Sequence, residues 1–98
     1  MAPVLPETEI LRSLAELPGW ILDGPVIRKR FAFSRYMDGI RFVEAVAVEA
    51  EAEDHHPDLL VRYSDVTVFL STHSQNGVTE RDLRLAAAVE KLSPQFTS

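Results

Sequence analysis

The apolar residues of this chain switch repeatedly between a helical and an extended period, and the order of those switches restricts the fold more than any other feature. Between Glu7 and Leu17, Ile10, Leu11, Leu14 and Leu17 recur at helical spacing until Pro18-Gly19 stops the segment, which predicts a short amphipathic helix. Trp20-Ile21-Leu22 and Val26 to Phe33 read as extended, with Asp23-Gly24-Pro25 as turn residues. In the second run Val26, Arg28, Arg30 and Ala32 alternate with Ile27, Lys29, Phe31 and Phe33, so a hairpin is predicted. Trp20 is assigned to the core.

From Ser34, a residue type that caps helices, Tyr36, Ile40, Val43, Ala47 and Ala50 return at helical intervals, and Phe42 and Val46 widen the stripe. This second, longer helix ends among Glu49, Glu51, Glu53 and Asp54, where the helix dipole disfavours negative charge. Stability alone would not choose that arrangement. Pro57 to Tyr63 and Val66 to Thr72 then form two apolar, partly alternating runs around Ser64-Asp65, which predicts a hairpin with a two-residue loop. Thr79 is the expected N-cap of a third helix, which carries Leu83, Leu85, Ala86, Val89 and Leu92. The order α-β-β-α-β-β-α predicts an α+β fold, with helices packed on one face of a four-stranded, mainly antiparallel sheet. A chain of 98 residues supports one core, so residues 1–98 are expected to form a single domain.

Cysteine is absent, which excludes disulfides, thiolate metal sites and cysteine nucleophiles together. A formal charge of -5 with no basic face beyond Arg28-Lys29-Arg30 speaks against a nucleic-acid partner. The N-terminus carries neither a basic start nor a continuous apolar run, and no segment reaches membrane-spanning length. A cytoplasmic location, away from membranes, is the expectation.

The three histidines, His55, His56 and His73, fall in or beside the second hairpin. With Ser64-Asp65 as its loop, Tyr63 faces Val66 and His56 faces His73, the last two with Cβ atoms about 5 Å apart. That register sets Leu59, Val61, Tyr63, Val66, Val68 and Leu70 under the helices. The opposite side combines the histidines with Asp58, Leu60, Arg62, Thr67, Phe69 and Ser71. His55 diverges from His56, because successive strand side chains point to opposite faces. It joins the site only if the chain is irregular before Pro57. Two other readings stay open: surface histidines without a task, or a ligand set completed by Asp58 or Asp82, although no HExxH-type spacing is present. Asp82 in Thr79-Glu80-Arg81-Asp82 fits the N3 position of a capping box, and Glu51 can be a solvated carboxylate at a helix end.

Glu51, three residues, His55-His56-Pro57, five residues, Tyr63, nine residues, His73, eight residues and Asp82 follow one another along the chain. This spacing resembles the signature of the pterin-4a-carbinolamine dehydratases. Gly19-Trp20, Phe31 and Phe33, Leu70-Ser71-Thr72-His73 and Thr79-Glu80-Arg81-Asp82 extend the resemblance over nearly the whole chain. It implies a hydro-lyase that converts 4a-hydroxytetrahydrobiopterin, or a related pterin, to the quinonoid dihydropterin, recycling the product of aromatic amino-acid hydroxylases. His55, His56 and His73 would be the catalytic histidines, Pro57, Thr72, Ser74 and Gln75 would contact the pterin, and Glu51 and Asp82 would support them. No metal or cofactor is implied.

Homodimers or homotetramers are implied too, as is an alternative role as a non-catalytic dimerisation or regulatory partner. Histidine suits elimination of water, since it can deliver a proton to the departing hydroxyl and remove one from the ring nitrogen near neutral pH. Leu59 departs from the family, standing where many members carry an aromatic residue. Ser74-Gln75-Asn76 is likewise this chain's own version of the segment after the third histidine.

Overall fold

A computed structural model of the protein describes residues 3–97. Helix α1 spans Glu7–Leu14, strands β1 and β2 span Ile21–Asp23 and Val26–Ala32, and helix α2 spans Tyr36–Glu53. Strands β3 (Asp58–Val61) and β4 (Asp65–Leu70) follow, then helix α3 over Glu80–Leu92. Short 3-10 turns occupy His73–Gln75 and Ser93–Gln95. The strands form one sheet in the order β1-β2-β4-β3, with every neighbouring pair antiparallel. The predicted α+β order is therefore the observed one.

One face of the sheet carries Ile27, Phe31, Val66, Val68 and Leu70, all buried. Against them pack Ile10 and Leu14 of α1, Phe42, Val46 and Ala50 of α2, and Leu85, Ala86 and Val89 of α3. Phe42 sits at the centre, its ring centroid 4.9 Å from that of Phe31 and 5.2 Å from that of Phe33. Burial of such side chains contributes roughly 1.5–3 kcal/mol each.

The inward stripe of α2 differs from the expected one. Gly39, Phe42, Val46 and Ala50 are buried, whereas Tyr36 and Ala47 face outward. Gly39 explains the rotation. A Cβ there would lie 3.3 Å from Phe33 Cδ2 and 3.5 Å from Val66 Cγ2, so the absent side chain lets the helix approach the sheet closely. Arg35, not Ser34, takes the N-cap position. Helix α1 stops at Leu14 rather than Leu17, because its last turn tightens through bonds from Glu16 N–H to Ser13 O and Leu17 N–H to Leu14 O.

Lys29 shares the core-facing side of β2, and α3 supplies its counter-charge. Its ammonium donates to Pro18 O at 2.8 Å and to Glu90 Oε1, and lies 4.8 Å from the centroid of Phe31. The same carboxylate oxygen accepts from Trp20 Nε1 at 2.9 Å. Glu90 thus ties α3 to the first hairpin through two donors. Replacing Glu90 by Ala is expected to cost about 2 kcal/mol in urea denaturation, since both donors lose their shared acceptor.

The second hairpin corrects the predicted register. Val66 pairs with Val61 and Phe69 with Asp58, so Val66 does not face Tyr63. The pairing is displaced by two residues along β3. Asp65 belongs to β4, paired with Ala32 and flanked by Arg30 at 3.2 Å. Arg62 to Ser64 form the turn, pinned by Arg62 N–H to Asp65 O at 2.8 Å and Phe33 N–H to Ser64 O at 2.9 Å. Tyr63, 83% exposed, leaves the sheet and stacks on Tyr36 with centroids 6.1 Å apart. An even displacement keeps every β4 side chain on its expected face. It does remove the predicted pairing of His56 with His73: continued outward, the observed register sets His56 level with Ser71.

Candidate active site

The site begins where α2 ends. Asp54 adopts a left-handed conformation at φ 51, and the amide of His55 donates back to Ala50 O at 3.1 Å while that of Asp54 reaches Glu51 O at 3.1 Å. This is a Schellman closure with aspartate in the place glycine usually takes. Arg81, in the first turn of α3, donates to Asp54 O at 2.6 Å and to Glu53 O at 3.3 Å. Arg84 lies 3.9 Å from the Glu53 carboxylate. The acidic end of α2 is thus offset by arginines from another helix. Asp54→Gly is expected to raise stability by up to about 1 kcal/mol in thermal or urea unfolding, by relieving the left-handed strain.

The reversal after Asp54 drops His55 inward and turns His56 outward. His55 is 7% exposed, and its Nε2 lies 2.5 Å from Oδ1 of the fully buried Asp82. His56 is exposed, with Nε2 2.6 Å from Glu51 Oε1. Two consecutive imidazoles are therefore each held through Nε2 by a carboxylate, one inside the protein and one in solvent. Residues 55–57 lie outside regular secondary structure, the irregularity His55 needs to join the site. The residue expected to diverge is the deeply anchored one.

Asp82 does two jobs at once. Its Oδ2 accepts from Thr79 N–H at 2.9 Å, completing a capping box at the start of α3. The same oxygen accepts from Thr72 Oγ1 at 2.9 Å, and Oδ1 remains for His55. The helix cap and the histidine contact, alternatives in the sequence, coexist because a carboxylate has two oxygens and about four acceptor positions.

Thr72 follows β4 and is buried, while His73, next in the chain, is exposed at the head of the 3-10 turn. Ser74 is exposed and Gln75 and Pro57 are half-buried. The turn is closed by Thr72 N–H to Gly77 O at 2.9 Å and by left-handed Asn76. Since Asp58 pairs with Phe69, the segment 55–57 and the segment 71–75 leave the same end of the sheet. Asp82 touches both, through His55 and Thr72. No hydrogen bond or ion pair joins His73 to the other two histidines among the described residues.

What the spacing did not expose is the supporting role of Thr79 and Arg81, although both lie in the recognised Thr79-Glu80-Arg81-Asp82 sequence. A groove of about 460 Å³ lies elsewhere, lined by Ala45, Val48, Ala52, Leu92 and Phe96 among others, and contains none of the histidines.

The family model for pterin 4 alpha carbinolamine dehydratase matches residues 3–92. The chain belongs to the pterin 4 alpha carbinolamine dehydratase family. A provisionally named pterin-4-alpha-carbinolamine dehydratase from Mycobacteroides abscessus is 42% identical over 87 residues, covering 89% of this chain and 93% of the relative. One of the same name from Sulfolobus acidocaldarius is 42% identical over 88 residues, covering 90% and 97%. Among solved structures, a transcriptional coactivator/pterin dehydratase from Brucella melitensis superposes with a TM-score of 0.87 at 37% identity, covering 92% of this chain and 98% of that one. A pterin dehydratase-like protein identified as a RuBisCO assembly factor in the alpha-carboxysome superposes with a TM-score of 0.64 at 26% identity, covering 81% and 89%. A structurally similar protein is thus described by an assembly role, and family membership alone does not assign chemistry. No helix of the described residues is long and apolar enough to cross a membrane.

Proposed function

We propose that this protein dehydrates 4a-hydroxytetrahydrobiopterin, or a closely related pterin, to the quinonoid dihydropterin. The observation that carries the reading is the pair of carboxylate-held imidazoles, His55 with Asp82 and His56 with Glu51, at the sheet end from which His73 also emerges. In the reaction the C4a–O bond breaks, the departing hydroxyl takes up a proton to leave as water, and a ring nitrogen gives one up. Imidazoles perform both transfers near neutral pH. His55 and His56 serve as acid and binding groups, and His73, exposed and free of a carboxylate partner, serves on the base side or contacts the carbinolamine. Pro57, Ser74, Gln75 and the backbone of Thr72 border the pterin.

The product re-enters tetrahydropterin recycling beside an aromatic amino-acid hydroxylase, in the cytoplasm. A homodimer or homotetramer is the proposed working form, supported by the unpaired outer edge of β3, where Leu60 and Val61 stand exposed.

A second reading, a non-catalytic regulatory or assembly partner on the same fold, is favoured by the described role of the alpha-carboxysome relative. The deciding experiment adds purified protein to freshly generated 4a-hydroxytetrahydropterin and follows formation of the quinonoid product. Acceleration proportional to protein concentration supports the dehydratase. No acceleration, together with specific capture of a protein ligand, supports the partner role.

A further inference from the structure

We infer that Thr79 and Thr72 form a hydroxyl relay that fixes which nitrogen of His55 holds its permanent proton, leaving Nδ1 as the atom that works on substrate. The inference deepens the dehydratase reading and rests on it for the word substrate. The relay itself stands on hydrogen-bond valence.

Thr72 Oγ1 lies 2.9 Å from Asp82 Oδ2 and 2.7 Å from Thr79 Oγ1. A hydroxyl has one proton to give, and an ionised carboxylate only accepts. Thr72 therefore donates to Asp82, and Thr79 must donate to Thr72. Thr79 Oγ1 in turn receives the amide of Arg81 at 3.2 Å. The chain of donors has one direction, from Arg81 N–H through Thr79 and Thr72 to Asp82. Both threonines are buried, Thr79 completely, so water does not compete for their hydroxyls.

Oδ2 of Asp82 receives a second donor from Thr79 N–H at 2.9 Å. With that oxygen occupied by two donors, Oδ1 is the one turned to His55 Nε2 at 2.5 Å. A carboxylate oxygen facing an imidazole nitrogen requires the proton to sit on that nitrogen. His55 is thereby held as the Nε2–H form, and Nδ1 is its free end. Nδ1 has no hydrogen-bond partner among the described residues, and the side chain keeps 8% of its surface exposed. In turnover Nδ1 takes up a proton and passes it to the departing hydroxyl, while the proton on Nε2 stays in place. The side chain of Thr72 is then a positioning group acting through Asp82.

The test is the long-range 1H–15N NMR spectrum of the full-length protein labelled at histidine, at a pH where the imidazoles are neutral, read beside the dehydration rate. Wild-type His55 is expected to show a protonated Nε2 and a bare Nδ1. Thr72→Val keeps the branched shape and leaves the Thr79 cap in place, but removes the relay proton. Asp82 is then anchored at Oδ2 by Thr79 N–H alone and can turn away from Nε2, so the His55 signal is expected to become a mixture of both tautomers, and kcat to fall about tenfold with KM little changed. Thr72→Ser, which restores the hydroxyl, recovers both spectrum and rate. A wild-type His55 protonated at Nδ1, or a Thr72→Val protein with the wild-type spectrum and rate, overturns the relay. Should the valine variant fail to fold, Thr72→Ala carries the same expectations and is read in the same way. The expected spectrum in a protein without dehydratase activity overturns the functional reading and leaves the relay standing.

Discussion

Asp82→Asn is expected to lower the dehydration rate by on the order of 10²- to 10⁴-fold and to cost about 2–4 kcal/mol of stability. The aspartate accepts from His55, Thr72 and Thr79 N–H and donates to none of them. An asparagine has one acceptor oxygen and one donor amide. If the oxygen keeps the cap, the amide faces His55 Nε2 and forces that nitrogen to accept, moving the ring proton to Nδ1. If the oxygen keeps His55, the amide meets two donors in a buried corner. Either arrangement damages a contact that cannot be replaced by water, because Asp82 is fully buried. Urea denaturation and the dehydration assay on the same preparation check the two parts. A folded asparagine variant with the wild-type rate would remove the His55–Asp82 pair from the mechanism.

His73→Ala should separate chemistry from stability. The side chain is exposed and makes no hydrogen bond among the described residues, so its removal is expected to change stability by less than about 0.5 kcal/mol. As the base-side histidine its loss should slow dehydration by roughly 10²- to 10⁴-fold. The contrast matters, because a slow Asp82 variant can be slow by unfolding and a slow His73 variant cannot. Unimpaired turnover in His73→Ala would move its role to His55 and His56 or end the proposal.

The alternation of periods along the chain specified the element order, because each element buries one face and therefore repeats its apolar residues. It did not specify the rotation of α2, since Tyr36 and Ala47 are as apolar in pattern as Phe42 and Val46. The small residue at Gly39, which decides the face, reads as a mere weakness in a helix. The register of the second hairpin was misread for a related reason. Ser64 and Asp65 have the composition of a turn, yet Asp65 is held in the ladder by its pairing with Ala32 and by Arg30 on the neighbouring strand. Such a long-range partner leaves no mark in local sequence.

The candidate site was legible as a set of residues and not as a geometry. Fixed spacing gathered Glu51, the histidines and Asp82, and the structure unites His55 with Asp82 and His56 with Glu51. The inward turn of His55 depends on Asp54 taking a left-handed conformation, which aspartate tolerates but does not announce. The direct facing of His56 and His73 fell with the register. The capping pattern was visible, and only its second use was hidden, because an N3 carboxylate satisfies the helix without revealing where its other oxygen points.

The double duty of Asp82 changes how descent can act on a chain of this kind. On the proposed dehydratase function, a lineage that abandons the reaction still gains from the carboxylate that caps α3 at that position, so selection for folding alone favours keeping it. His73 has no such second employer. With His73 in its proposed base-side role, drift at position 73 with Asp82 intact would mark a descendant that has kept the scaffold and given up the reaction.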